Sequence, residues 1–430
     1  MARDRVIVGI DIGTSKIATL IGSISQASEG ESGVNVIGVS TVPSRGLRKG
    51  QVVDIEEATQ AITESLEAAE RMAGYSVSTA FISVGGNHIA SQNSHGVVAV
   101  AEPDKEITFQ DIDRVVEAAK AVSLPSSREI LHVLPRGFVV DSQEGIKDPI
   151  GMTGVRLEVD THLITGGSTA LRNLAKCVSE VGVNVESLVF AGLAAAEAVV
   201  TETEKELGVV MIDIGGGTTD ICLYVEGSLA YSSVIPIGAK NITNDLAIGL
   251  RVSLESAEKI KLVLGEKPKQ ITTAEERERK EEDEVDLSSL GLTEDVRRVS
   301  RKTLIEGIIK PRLNEIFTMV SLEIKKSGFA GLTPGGIVLA GGGAQTIGVV
   351  EAAKRNLAMP VRVGVPTGVR GLVDEIMISS FATGIGLLHY GAKNSTGGEK
   401  KFSSMTRIFD KIPVKGAAGK VMDLIKSFLP

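Results

Sequence analysis

Val209-Val210-Met211-Ile212-Asp213-Ile214-Gly215-Gly216-Gly217-Thr218-Thr219-Asp220 decides how this 430-residue chain folds. A β-branched apolar run ends on a carboxylate. Glycines and hydroxyls follow, then a second apolar run from Ile221 to Val225. That order reads as strand, turn, strand. The same order stands 202 residues earlier: Val6 to Ile10, then Asp11-Ile12-Gly13-Thr14-Ser15-Lys16, then Ile17 to Ile24. An internal repeat of this kind predicts two similar lobes facing each other. A third strand-to-glycine motif lies downstream, Ile337-Val338-Leu339-Ala340-Gly341-Gly342-Gly343-Ala344.

The repeated motif suits phosphate. Glycine lets backbone approach an anion and take turn dihedrals that a side chain forbids. Successive N–H groups then form a small concave nest. Hydroxyls of Thr14, Ser15, Thr218 and Thr219 add donors, and Lys16 adds a point charge for a β- or γ-phosphate. A carboxylate at the strand end, Asp11 or Asp213, would repel phosphate unless a cation lay between. Mg²⁺ held through its waters is the natural one. The chain has neither a P-loop lysine motif nor a Gly-x-Gly-x-x-Gly opening a helix after the first strand.

Outward from the motifs, Val34 to Val42 reads as a third strand. Asp54 to Ala73 reads as a helix closed by Gly74. From about 85 to 165 short strands alternate with one helix, Thr108 to Ala121, capped by Thr108 with Asp111 three residues on. Pro125, Pro135 and Pro149 punctuate the rest. This stretch reads as an inserted α/β subdomain bounded near Gly85-Gly86 and Gly166-Gly167. A helix returns from Ser168 to Val181. The run Ala274 to Asp286 is dense in charge and reads as a solvated helix or loop. Arg297, Arg298, Arg301 and Lys302 form a basic patch ahead of an apolar-periodic helix, Leu304 to Phe317. Residues 391–404 read as a flexible linker.

Composition excludes several classes. Hydrophobic residues make up 43% and charged ones 23%, so the chain can build a core. The net charge of −8 argues against a nucleic-acid binder. Cys177 and Cys222 give no disulfide framework and no metal spacing, which suits a reducing compartment. The five histidines show no ligand spacing. The first apolar run is short and broken by Asp11, so no signal peptide is expected. No apolar stretch is long enough for a membrane-spanning helix.

The last residues differ from the rest. Val421, Leu424, Ile425, Phe428 and Leu429 form one apolar stripe, with Lys420 and Lys426 on the other face. Residues 400–430 carry seven Lys/Arg against two Asp, leaving thirteen net negative charges on the other 399 residues. A cationic amphipathic tail over 405–430 on an acidic body suits an anionic bilayer surface. One short helix binds marginally, and self-assembly would multiply it.

The motifs resemble the actin-like ATPase superfamily, with residues 9–16 as first phosphate loop, 211–220 as second and 339–344 as adenosine loop. The resemblance implies an α/β fold of two lobes, duplicated ribonuclease-H-like domains, closing over ATP and Mg²⁺. It also implies that Glu258 and Lys261 lie on the helix facing ribose and adenine. Ala191–Ala198 and Ala382–Gly386 then resemble the two small-residue helices crossing between lobes. Gly86-Asn87-His88-Ile89, Asn93-Ser94-His95-Gly96, Ile235-Pro236-Ile237-Gly238 and Asn241 to Asp245 narrow the likeness. They resemble the FtsA family of bacterial cell-division proteins, over residues 5 to about 390.

That resemblance implies a first lobe of 1–84 and 166–205, an insert of 85–165 and a second lobe of 206–390 with an outer part at about 240–330. It implies a protein that polymerises, anchors FtsZ filaments at the inner membrane through the tail and recruits later division proteins. Arg297, Arg298, Arg301 and Lys302 would meet the acidic FtsZ tail. No general base stands out, so the chain is expected to be at most a slow ATPase, with nucleotide acting as a conformational ligand. Two rivals share the fold: a small-molecule phosphotransferase and a pilus-assembly scaffold.

Overall fold

The computed structural model describes residues 5–24, 33–101, 106–265, 283–294 and 296–395. The chain opens with β1 (Arg5–Ile12), β2 (Lys16–Ile24) and β3 (Val34–Pro43). The tiny hairpin β4 (Leu47–Arg48) and β5 (Gln51–Val52) leads to α1 (Ile55–Ala73) and β6 (Thr79–Val84). An inserted unit follows: β7 (Ala90–Ala99), α2 (Phe109–Lys120), β8 (Arg128–Val140), β9 (Gln143–Ile146) and β10 (Arg156–Gly167). The chain returns through α3 (Ser168–Glu180), β11 (Asn184–Phe190), α4 (Ala191–Val199) and α5 (Glu202–Leu207). Next come β12 (Val209–Ile214), β13 (Thr219–Val225), β14 (Ser228–Ile235), α6 (Ala239–Leu250) and α7 (Leu254–Gly265). The rest is β15 (Glu284–Asp286), β16 (Arg298–Ser300), α8 (Lys310–Lys326), β17 (Ile337–Ala340), α9 (Val349–Leu357), β18 (Val361–Val363), β19 (Val369–Gly371) and α10 (Ala382–Ser395).

The repeat in sequence is a repeat in topology. The first sheet runs β11-β6-β1-β2-β3-β19 and the second β18-β17-β12-β13-β14. In each, three antiparallel strands are followed by two parallel ones. The registers agree too: Asp11 faces Ala18 and Asp213 faces Asp220. Each turn closes with one bond, Gly13 N to Lys16 O at 3.1 Å and Gly215 N to Thr218 O at 2.9 Å.

Local chemistry fixes the helix ends. Asp54 caps α1 by accepting from Glu57 N, and Gly74 ends it at φ 63°. Ala58, Ile62, Leu66 and Ala69 are buried under the first sheet. Asp111 accepts from Thr108 N–H and hydroxyl, as the sequence implied for α2.

The insert departs from expectation. Its strands are long, β8 at 13 residues and β10 at 12, in the order β7-β10-β8-β9. Pro135 does not end β8. It sits at a register shift opposite Thr161, where a missing N–H breaks no ladder bond. The expected regular helix Leu304–Phe317 also differs. A helical turn at Arg301–Leu304 widens into a π-turn at Ile305–Ile309 before α8. Pro311 has no N–H to return to Gly307, so the regular ladder fails there.

The last elements serve the first lobe, although they fall within 206–390. β19 pairs with β3, and α10 packs on α4 and β1. The small residues of α10 allow this: Gly386 lies directly against the Ala194 carbonyl of α4. The linker and the amphipathic helix (391–404 beyond Ser395, and 405–430) lie outside the described residues, as does 274–282 of the charged run.

The insert also rests on β14, the edge of the second sheet. Ser91 Oγ donates to Ser232 O at 2.6 Å, and Asn93 Nδ2 to Ala230 O at 3.2 Å. His162 bridges Asn93 Oδ1 at 2.7 Å and Ser232 Oγ at 2.9 Å, and His132 Nε2 accepts from Phe190 N at 2.9 Å. Burial lowers His132 to about 4, and burial with the Arg136 charge nearby lowers His162 to about 3. An unfolded histidine protonates near 6.5. Between those values the unfolded state binds more protons, so stability is full above about pH 6.5 and falls as pH falls. At pH 5 each histidine is expected to cost on the order of 2 kcal/mol. Amide exchange across β7 and β10, corrected for intrinsic rate, should quicken between pH 7 and 5, and less so in His162→Gln. Equal behaviour of the two proteins would remove His162 from the account.

Candidate nucleotide-binding site

The two repeated turns meet at the cleft between the lobes. Asp11 ends β1, held by Ser83, whose Oγ donates to its Oδ1 at 2.8 Å and accepts from Ile12 N at 2.9 Å. Asp213 stands on β12 and accepts from Thr383 Oγ1 of α10 at 3.1 Å. Lys16 opens β2, with Nζ 3.8 Å from the centre of the Phe381 ring and 3.4 Å from Ser380 Oγ. Asp220 is buried opposite Asp213, and its Oδ1 has no hydrogen-bond partner among the described residues.

The electrostatics are lopsided: Asp11 and Asp213 share one lysine, and it does not serve the buried Asp220. Burial raises Asp11, against Ser83 and Lys16. Burial, then the Asp11 charge, raises Asp213 to about 7. Burial and the other two acids raise Asp220 well above the usual carboxylate range. Burial lowers Lys16, against Asp11 and Asp213. Such a cleft favours a cation, and the orphaned Asp220 oxygen fits that demand. Among the described residues no three His, Cys, Asp or Glu stand as a direct metal cage.

The phosphate loops touch. A Cβ on Gly216 would lie 2.0 Å from Ser15 Oγ and 3.0 Å from Ser15 Cβ, so a side chain there would have to displace Ser15. Gly217 lies against Thr14. The first amides of α6 bind the second loop, Ala239 N to Gly215 O and Lys240 N to Gly216 O, both 2.9 Å. Lys240 Nζ reaches across to Thr14 O at 2.8 Å. Gly341, at φ 81°, sits where a Cβ would be 2.1 Å from Asp213 Oδ1, and it leads into the turn Gly342, Gly343, Ala344. On α7, Lys261 Nζ donates to Glu258 Oε2 at 2.7 Å and Thr243 Oγ1 at 2.9 Å.

Most expected residues therefore converge: Asp11, Gly13, Thr14, Ser15, Lys16, Asp213, Gly215, Gly216, Gly217 and Gly341. Thr219 does not offer its hydroxyl. It is fully buried and donates to Ile237 O at 2.8 Å, because strand alternation turns it away from the cleft. Lys261 is buried in its own network, while Glu258 is more exposed. Ser83, Thr383, Lys240 and Asp220 were missed as site residues. Asp220 closes the quoted motif, and Lys240 is a cation at a helix N-terminus, where the dipole disfavours it. Those two signals were readable. Ser83 and Thr383 carry none.

The basic patch lies elsewhere, on the outer edge of the second lobe. Arg298 is exposed on β16, 3.5 Å from Glu284, and Arg301 reaches Leu264 O at 3.5 Å. Asp283 accepts from Lys302 N at 2.8 Å. Arg297 joins the same ridge. Val421, Leu424, Ile425, Phe428, Leu429, Lys420 and Lys426 lie outside the described residues. No helix among the described residues is long and apolar enough to cross a membrane.

Two family descriptions match the chain: the SHS2 domain inserted in FtsA over residues 86–165, and cell division protein FtsA over residues 210–386. Cell division protein FtsA of Pseudomonas aeruginosa is 42% identical over 394 residues, 92% of this chain and 91% of that protein. The chain belongs to the FtsA family of cell-division proteins. Its fold is also that of solved actin-like structures. A PilM–PilN type IV pilus biogenesis complex matches with TM-score 0.62 at 16% identity, over 90% of this chain and 98% of that one. MreB5 of Spiroplasma citri bound to AMPPNP matches with TM-score 0.51 at 14% identity, over 91% and 97%. At such identities the likeness shows the fold alone. For an FtsA-family chain it is an actin-like α/β fold of two lobes with an SHS2 insert.

Proposed function

We propose that this chain binds ATP with Mg²⁺ between its lobes and polymerises on the cytoplasmic face of the cell membrane at the division septum. There it anchors FtsZ filaments and recruits later division proteins. The observation that carries the nucleotide part is the meeting of two glycine-hydroxyl loops around Asp11, Asp213 and Asp220. Gly13, Thr14, Ser15 and Lys16 and then Gly215, Gly216, Gly217 and Thr218 hold phosphates. Glu258, Lys261 and Gly341 to Ala344 line the adenosine side. Asp11 and Asp213 hold Mg²⁺ through its waters, and the cation would screen the acids from the phosphate charge. We read the chain as at most a slow ATPase, with nucleotide acting as a conformational ligand.

Membrane attachment is supported by the cationic amphipathic tail and by family membership. Sedimentation with anionic vesicles of phosphatidylglycerol and phosphatidylethanolamine tests it. The full chain should pellet, more so with Mg·ATP, and a chain ending at Ser404 should stay in solution. If both stay in solution under all conditions, the tethered reading falls. An FtsZ-tail peptide added to the pelleting chain tests the ridge of Arg297, Arg298, Arg301 and Lys302. Unchanged capture by Arg301→Glu removes that arginine.

A further inference from the structure

The β4–β5 hairpin carries neither phosphate loop, yet it touches both. Its turn, Lys49 at φ 50° and Gly50 at φ 73°, has both central residues left-handed, the tight form of a two-residue hairpin. Gly50 N–H donates to Thr14 Oγ1 at 3.0 Å. The Lys49 Cα faces Gly217, 3.2 Å from where a Cβ would stand. The other side of the turn abuts Gly85-Gly86, where the chain leaves β6 for the insert. A Cβ on Gly50 would lie 2.7 Å from Gly85 C and Gly86 N. Gln51 Nε2 then bonds Asn87 Oδ1.

The two connections of the insert are tied to each other. The Arg128 guanidinium donates to His88 O and Thr165 O, both at 3.0 Å. Gly167 N donates to His88 Nδ1 at 3.3 Å. Outgoing and returning connections are therefore bonded to each other. Beside them lies an open cavity of about 260 Å³, lined by Gln51, Val52, His88, Ser127, Gly167 and Thr169. It gives hairpin and connections room to shift.

We infer that the β4–β5 hairpin is a relay between the phosphate loops and the inserted subdomain. The inference rests on the nucleotide reading above. A hydroxyl accepts one bond while donating another. Thr14 can therefore donate to a phosphate oxygen while keeping the Gly50 N–H. A bound triphosphate fixes Thr14, Thr14 fixes Gly50, Gly50 seats Gly85-Gly86, and the Gln51–Asn87 bond carries that setting into the insert. The insert, which also leans on β14, is biased toward one setting. By linkage, a partner that holds the insert in that setting tightens nucleotide binding by the same factor.

Hydrogen exchange on the full chain, with and without Mg²⁺ and a non-hydrolysable ATP analogue, tests this. In the wild type the analogue should slow exchange at residues 11–16 and 213–219 and also at 86–90 and 165–167. Gln51→Ala and Asn87→Ala leave the phosphate loops intact. In each, protection of the loops should persist, while the added protection at 86–90 and 165–167 drops about fivefold, the effect of one net hydrogen bond. Protection confined to the loops in the wild type overturns the relay and leaves the nucleotide site standing. Unchanged protection of the insert in both variants also overturns it. No protection at the loops removes the nucleotide reading and the relay together.

Discussion

Asp213→Asn is expected to raise the melting temperature of the nucleotide-free protein at pH 8 and to weaken Mg·ATP binding about 30–100-fold, the effect of losing a charge-assisted contact. The two effects share one cause. Burial and the Asp11 charge raise this carboxyl to about 7 in the folded state. Unfolded, it titrates near 3.9. A group raised on folding contributes stability that is complete below the unfolded value and lost as pH rises through the folded one. At pH 8 the ionised form therefore costs on the order of 4 kcal/mol. Asparagine removes the charge and still accepts from Thr383. Thermal melts at pH 5 and 8, with calorimetric titration of Mg·ATP, read both effects. The wild type should lose stability across that range and the variant should lose less. A variant that melts lower at pH 8 would refute the cost of the buried charge, and one that binds Mg·ATP as tightly would show that Asp213 does not hold the cation.

Gly341→Ala is expected to move stability the other way. At φ 81° and ψ 173° the backbone lies in a region that is essentially glycine's alone, where an alanine costs about 1–3 kcal/mol. Its methyl would also stand 2.1 Å from Asp213 Oδ1 and 2.5 Å from the Ile214 carbonyl, one of them backbone that cannot rotate away. Overpacking adds about 1–3 kcal/mol. The sum, about 2–6 kcal/mol, should come with loss of nucleotide binding, because the clash displaces the strand end that carries Asp213. Gly74→Ala is the control: φ is 63° but nothing lies within 4 Å of the added methyl, so only the strain remains. The chain has no Trp, so urea unfolding is followed by far-ultraviolet circular dichroism. Equal costs at the two positions would refute the contact with Asp213.

How much of this was legible follows from range. The duplicated turns were readable because each is a local pattern of apolar strand, carboxylate and glycine, and the 202-residue offset survives in the strand registers. The Thr108–Asp111 pair that opens α2 was readable because its bonds span only three residues. Distant pairings were not. Nothing around Val369–Gly371 marks it as a partner for β3, and nothing around Ser91 marks it as a donor to Ser232. Pro135 misled because a proline at a register shift and a proline ending a strand look alike in sequence. Thr219 misled because both threonines of the motif carry hydroxyls, and only the strand phase says which one faces the cleft. The place of Asp11 and Asp213 at the strand ends that face the cleft was readable. Their elevated protonation was not, since it depends on depth and on each other.

The insert's seat on β14 has a meaning for the chain's solubility. An outermost strand leaves a row of backbone carbonyls and amides unsatisfied, and such rows attract strands from other molecules. At β14 the carbonyls of Ala230 and Ser232 are met by side chains, Asn93 and Ser91, rather than by another strand. A side chain closes a carbonyl without presenting a fresh ladder of its own. The second sheet has five strands, and the insert covers part of its β14 edge, which would otherwise be open to cross-chain pairing.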